Sequence, residues 1–243
     1  MILTSLVGNS NTRFVWFRGS RVARMLVMPT SAVRRGLLPR TGPVSGVALA
    51  SVVPSVTRRV WSNLRAATGM EPFVVGSRTR TGLTFHYRRD QLGADRVCAC
   101  VGAHGRFPRQ DLIVFDFGTA TTVNVVMREG TFAGGAILPG IRMSLDALAA
   151  GTAGLPSLTP GRSTNPVQHN TRAAVQAGVG ALFVGGVENI IDRAERDLKR
   201  SFLVVSTGGA AAVARRYTTR IGTIRPNLAS EGLAGIWYLN RGT

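Results

Sequence analysis

The sequence predicts an α/β protein in which one structural unit occurs twice. Apolar runs of strand length alternate with stretches of helical spacing and with glycine-rich turns. A strand, a loop of glycine and hydroxyl residues, and a return strand appear near the N-terminus and again near residue 112. Because hairpins are common units, two ordinary hairpins are the plain alternative to a duplication.

The elements follow in order. Ile2 to Val7 reads as a strand that ends in Gly8-Asn9-Ser10-Asn11-Thr12, and Arg13 to Phe17 returns. Val44 to Val53 is a buried strand closed by Pro54. From Ser55 to Thr68, Val56, Val60 and Leu64 recur every fourth residue, the period of a helix with one buried face. Leu112 to Phe115 then opens onto Asp116-Phe117-Gly118-Thr119-Ala120-Thr121-Thr122, Val123 to Met127 returns, and Glu129-Gly130 turns the chain. Ile141, Leu145 and Leu148 mark a helix after Pro139-Gly140. Residues 185–200 predict an amphipathic helix with Val187, Ile190, Ile191, Ala194 and Leu198 on one stripe, and with Glu195 and Lys199 paired on the other side. Phe202 to Val205 is a further strand, ending in Ser206-Thr207-Gly208-Gly209. Residues 151–166, rich in Gly, Pro, Ser and Thr, predict an exposed loop. The resulting division is an N-terminal α/β lobe over 1–108 and a C-terminal α/β lobe over 109–243.

Charge is the unusual feature. There are 30 basic residues against 12 acidic ones, and residues 1–110 hold 17 arginines against only Glu71, Asp90 and Asp95. Such a surface attracts polyanions. The arginines stand singly or in pairs without an RNA-binding signature, which predicts weak, non-specific nucleic-acid affinity rather than sequence readout. No apolar run reaches the roughly 18–20 residues of a membrane span, and the first residues lack the basic region of a signal peptide. No membrane association and a cytoplasmic location are therefore expected. Cys98 and Cys100 are too few for a zinc site, and His86, His104 and His169 have no ligand spacing.

Three strands end in loops of Gly, Thr, Ser and Asn, residues that let backbone N–H groups and hydroxyls approach phosphate oxygens. No loop matches the Walker A or the dinucleotide pattern. Asp116-Phe117-Gly118 spells a protein-kinase triplet, but no catalytic-loop or strand-lysine signature accompanies it. Asp95, beside Arg96, suits a base that takes a proton from an attacking hydroxyl while the arginine grips an anionic substrate. On the residues alone, an aspartate at a helix start, favoured there by the helix dipole, is the stronger reading, because such aspartates are routine.

Gly93-Ala94-Asp95-Arg96, Asp116 to Thr122 and Gly134-Gly135-Ala136-Ile137-Leu138-Pro139-Gly140 resemble successive signatures of the type III pantothenate kinases. Ser51-Val52-Val53-Pro54 before them, and Asn170-Thr171 and Thr207-Gly208-Gly209 after them, keep that family's order over nearly the whole chain. The resemblance implies duplicated ribonuclease-H-like lobes of the actin-like ATPase type around a central nucleotide cleft. It also implies transfer of the ATP γ-phosphate to pantothenate, the first step towards coenzyme A, with Mg2+, a monovalent cation (K+ or NH4+) and a homodimer. By position, Asp95 corresponds to the general base. Tyr87, Gly93, Ala94, Arg96 and Thr171 correspond to pantothenate contacts, with Thr171 reaching across the dimer. The ATP contacts would be Leu6, Val7, Gly8, Asn9, Ser10, Asn11, Thr12, Arg13 and Thr119, and Asp116 would bind the monovalent cation. One position departs: the family's first loop reads Asp-x-Gly-Asn-Thr/Ser, and this chain has Leu6 in place of that aspartate. The substitution predicts a slowed kinase, or else an inactive paralogue acting as a regulatory or transcriptional accessory protein.

Overall fold

The computed structural model describes residues 1–162 and 164–241. In chain order the elements are β1 (Ile2–Val7), β2 (Asn11–Arg18), β3 (Arg21–Pro29), α1 (Thr30–Arg34), β4 (Gly46–Ser51), α2 (Pro54–Thr68), β5 (Phe73–Val74), β6 (Thr84–Phe85) and α3 (Ala94–Arg106). They continue with β7 (Leu112–Phe117), β8 (Ala120–Val126), β9 (Thr131–Pro139), α4 (Ile141–Gly151), α5 (Thr171–Leu198), β10 (Leu203–Thr207), α6 (Ala211–Ala214), β11 (Thr223–Ile224) and α7 (Leu228–Leu239). Two compact units result. The first comprises residues 1–109 and 128–133 with the segment from Asn227 onward, and the second comprises 110–127 and 134–226.

The first unit's sheet has the order β3-β2-β1-β4-β5, with β1 antiparallel to β2 and parallel to β4. In the second unit β7 holds the same central place, antiparallel to β8 and parallel to β10, with β9 and β11 outside them. The two hairpins seen in the sequence are thus the centres of two sheets with the same strand order. Within the first unit, β6 pairs with the start of β9 through Thr84↔Thr131.

Each sheet buries an apolar helix face. Leu3, Val7, Phe14, Trp16, Val47 and Leu49 pack with the predicted stripe Val56, Val60 and Leu64 of α2. Phe115, Phe117, Ile141, Leu145, Val179, Phe183, Val187 and Ile191 form the second unit's core. Also in the first unit, α7 meets α3 at backbone contact. A side chain at Gly232 would collide with the Cys98 carbonyl, and one at Gly102 with the Leu228 carbonyl.

Several boundaries differ from the sequence reading. β7 runs on to Phe117, because Asp116 and Phe117 pair with Thr122 and Thr121, and the expected seven-residue loop shrinks to a turn at Gly118-Thr119. β3 was not anticipated. It is an edge strand with Val22, Met25 and Val27 exposed, so it lacks the apolar-in pattern of a half-buried strand. The helix expected over 185–200 starts at Thr171, where the Asn170 carboxamide oxygen accepts from the Ala173 N–H at 2.9 Å. Its first half is rich in glycine and alanine, which hides the helical period. Leu198, expected on the buried stripe, is exposed. Lys199 leaves the helix at φ 51°, and Glu195 pairs instead with Arg220 at 2.7 Å. By length and composition alone, α5 is long and apolar enough to cross a membrane. Counting uninterrupted apolar runs missed this, because Gln176, Glu188 and Asn189 break the run without offsetting its mean hydropathy.

Gly232→Ala tests the helix contact. Forcing a methyl group against a carbonyl is expected to lower stability by the upper end of roughly 1–3 kcal/mol, read as a lower urea midpoint at unchanged slope. An unchanged midpoint would contradict the crossing.

Candidate functional site

The turn between β1 and β2 is narrow and well tied. The Gly8 N–H donates to the Asn11 carbonyl at 3.0 Å, and the Thr30 N–H donates to the Ser10 carbonyl at 2.9 Å. The Thr30 hydroxyl donates to the Gly8 carbonyl at 2.7 Å, so the Thr12 hydroxyl, 3.0 Å away, is the donor to Thr30. This relay holds the turn from behind and leaves Asn9, Ser10 and Asn11 exposed. Of the predicted contacts here, Thr12 is buried against Thr30, and the Val7 side chain lies in the core, leaving Val7 only its backbone to offer. Thr30 was missed, since a residue so far along the chain gives no local signal.

Two rungs in from the turn, Leu6 stands directly opposite Arg13, with Ala50 on its other side. Leu6 and Arg13 are both half-buried. An Arg13 guanidinium nitrogen lies 3.4 Å from the carboxamide oxygen of Asn227, the residue that precedes α7. No Asp or Glu occurs before Glu71, so neither this turn nor the strands around it offer a carboxylate.

A second cluster in the same unit gathers at the start of α3. Asp95 lies in the first turn, where one carboxylate oxygen accepts from the Arg96 N–H at 2.7 Å. Gly93 makes room for that carboxylate: an added Cβ would sit 2.6 Å from it. Asp95 is thus a helix-start aspartate whose carboxylate is half-buried. Arg96 is buried, and its guanidinium lies 5.7 Å from the ring centres of both Tyr87 and Phe132. Tyr87 and Phe132 meet edge to face at 5.7 Å. The structure thus brings together Tyr87, Gly93, Ala94, Asp95 and Arg96, and it adds Phe132, which the sequence did not single out. Burial is the main influence on Asp95 and raises its carboxyl above the ordinary carboxylate range. The Arg96 N–H and the Arg96 charge act the other way. Burial also pushes the thiols of Cys98 and Cys100 upward, so both stay protonated.

In the second unit, Asp116 is half-buried near the end of β7, and Thr119 is exposed in the turn. Two neighbouring segments close on this turn: after β10, the Ala210 N–H donates to the Phe117 carbonyl at 3.0 Å, and after β9, the Gly140 N–H donates to the Thr119 carbonyl at 3.2 Å. Gly208, at φ 91°, leaves no room for a side chain beside the Asp116 carboxylate. Thr171, first in α5, is exposed and lines an open cavity of about 510 Å³ with Leu148, Asn170, Val175 and Leu182. Among the described residues no group of three or more His, Cys, Asp or Glu could hold a metal ion.

The sequence profile of the type III pantothenate kinases matches residues 2–193. A type III pantothenate kinase of Syntrophotalea carbinolica is 34% identical over 256 residues, covering 100% of both chains. One of Moorella thermoacetica is 35% identical over 198 residues, covering 81% of this chain and 78% of its own. Among solved structures, a Campylobacter jejuni protein described as a Baf-family transcriptional activator superposes with TM-score 0.68 at 18% identity, covering 99% of this chain and 100% of its own. A Sinorhizobium meliloti protein described as a 2-dehydro-3-deoxygalactonokinase gives TM-score 0.57 at 13% identity over the full length of both. At such identities these structures establish the fold alone, the α/β fold of sugar-kinase and actin-like ATPases.

The raised carboxyl of Asp95 has a signed consequence. This contribution to stability is fully present below the carboxyl's unfolded value and is lost as pH rises from there through the raised folded value, because the ionised form is the one that burial disfavours. Asp95→Asn is expected to flatten this dependence and to stabilise the fold near neutral pH, in urea midpoints measured between about pH 4 and pH 8. A variant less stable at the alkaline end would show that the ionised carboxylate is favourably held.

Proposed function

Since the chain belongs to the type III pantothenate kinase family, we propose that it phosphorylates pantothenate from ATP, the first step of coenzyme A biosynthesis. The observation that carries the reading is the cluster at α3: a carboxylate with a raised proton affinity, beside a buried arginine and an exposed tyrosine. Asp95 accepts the proton of the pantothenate hydroxyl as its oxygen attacks the γ-phosphorus. The bond from that phosphorus to the β–γ bridging oxygen breaks, and ADP leaves with the electron pair. Arg96 with Tyr87 and Phe132 receives the pantothenate carboxylate and its apolar neighbours, while Gly93 keeps Asp95 aimed. In the first unit, the exposed turn residues Asn9, Ser10 and Asn11 offer groups to the phosphates, and Thr119 is assigned as the ATP contact of the second unit.

Kinases of this family use a divalent metal, which neutralises phosphate oxygens during transfer. Asp116 is the carboxylate at the second turn, whereas the first turn has Leu6 and no carboxylate. We assign Asp116 to a monovalent cation, K+ or NH4+, as its first role. A homodimer with Thr171 at the interface, a cytoplasmic location and only weak, salt-sensitive nucleic-acid affinity complete the proposal. The inactive-regulator reading draws support from Leu6 and from the basic first unit.

Two measurements separate these readings. Asp95→Asn is expected to lower pantothenate-dependent ATP turnover by roughly 10²–10⁴-fold with nucleotide binding nearly intact. Full activity in that variant rejects the assignment. Leu6→Asp is expected to raise turnover on the order of 10²-fold at saturating ATP, magnesium and potassium, by adding one electrostatic element to the first turn. No turnover in either form, with the fold intact, favours the regulator.

A further inference from the structure

We propose that β3 is a docking edge for an acidic, extended segment of a partner protein, which joins the first unit's sheet as an added strand. The inference is independent of the kinase reading. β3 is nine residues long and closes one side of the sheet. Its outer row of backbone N–H and C=O groups takes no partner from another segment among the described residues. Directly opposed residues share a face, so the pairings with β2 sort the side chains of β3. Val22, Met25 and Val27 stand opposite Phe17, Val15 and Arg13 on one face, and all three are exposed. Arg21 and Arg24 stand opposite Arg18 and Trp16 on the other face, and the three arginines are exposed. An added strand therefore meets an apolar stripe on one face and a basic one on the other.

Charge decides which kind of strand fits. Residues 1–70 contain ten arginines and no Asp or Glu. Arg18 and Arg21 oppose each other directly across the hairpin, an arrangement that weakens a sheet unless an anion sits beside them. Arg24 is held by neutral groups: its guanidinium lies over the Trp16 ring at 4.6 Å and donates to the Arg40 carbonyl at 3.0 Å. Among the described residues, none of these three arginines is in an ion pair. A strand in which carboxylates alternate with apolar side chains matches both faces at once. Its carboxylates reach Arg18, Arg21 and Arg24, while its apolar side chains lie along Val22, Met25 and Val27. Backbone hydrogen bonds supply the attachment, and the alternate side chains supply the selectivity.

The probe is an end-capped peptide of alternating glutamate and valine, matched to β3 in length, with binding to the full chain followed by calorimetry and by hydrogen–deuterium exchange. The controls are a peptide with the same residues in two blocks and an alternating lysine–valine peptide. The alternating acidic peptide is expected to bind more tightly than either control, to slow exchange within residues 21–29, and to lose affinity as salt is raised. Arg21→Glu is expected to weaken binding roughly 10-fold, because attraction becomes repulsion. Met25→Glu, which puts a carboxylate in the apolar stripe, is expected to weaken it as well. Both positions are exposed, so the urea midpoint of each variant should stay near that of the unmodified protein. Equal binding of the alternating and block peptides reduces the effect to bulk charge and overturns the inference. Unchanged exchange within residues 21–29 overturns it too. A dimer joined through β3 without peptide makes a second copy the occupant, and displacement of the peptide by a single-stranded oligonucleotide makes the surface a phosphodiester site; either result also overturns it.

Discussion

The contact between α3 and α7 is the constraint on which the first unit depends. Two glycines, Gly102 and Gly232, let the helices meet backbone to backbone. This draws the C-terminal helix back onto the sheet that opens the chain. There Trp237 fills the space over Gly46, whose missing side chain is what admits the ring. The helix that carries Asp95 in its first turn is thereby clamped along its length, and that turn inherits the rigidity. Chemistry that needs a carboxylate held at a fixed point gains from being anchored to a core element rather than to a loop.

Much of this was legible in the sequence. The valine and leucine spacing of α2, the twin hairpins and the order of the glycine motifs led to the fold class. The Asp95 cluster was legible by resemblance, and its residues lie together. What escaped the reading had weak local signals. Thr30 acts through hydrogen bonds to a turn some twenty residues earlier, and Phe132 joins the Tyr87 cluster from another strand. The opening and middle of α5 are built largely from small residues, whose packing depends on partners elsewhere, as Gly186 does on Leu138. Lys199, expected as a helix partner of Glu195, sits at a left-handed exit that no periodicity marks, and Arg220 takes the glutamate instead.

Burial governs the charge at the start of α3: Asp95 is partly desolvated and so holds its proton more firmly, which suits a group that must accept one.

The edge strand β3 bears on how the protein behaves in concentrated solution. Its open side carries unpaired backbone groups beside exposed Val22, Met25 and Val27, a template for strand-to-strand association. Arg21 stands at its start, and Arg24 lies over the Trp16 ring at 4.6 Å. Like charges on two approaching copies repel, and that repulsion weakens as salt is added. The unusual basicity of this half of the chain thus acts as a colloidal safeguard, one that low ionic strength preserves and polyanionic contaminants would neutralise.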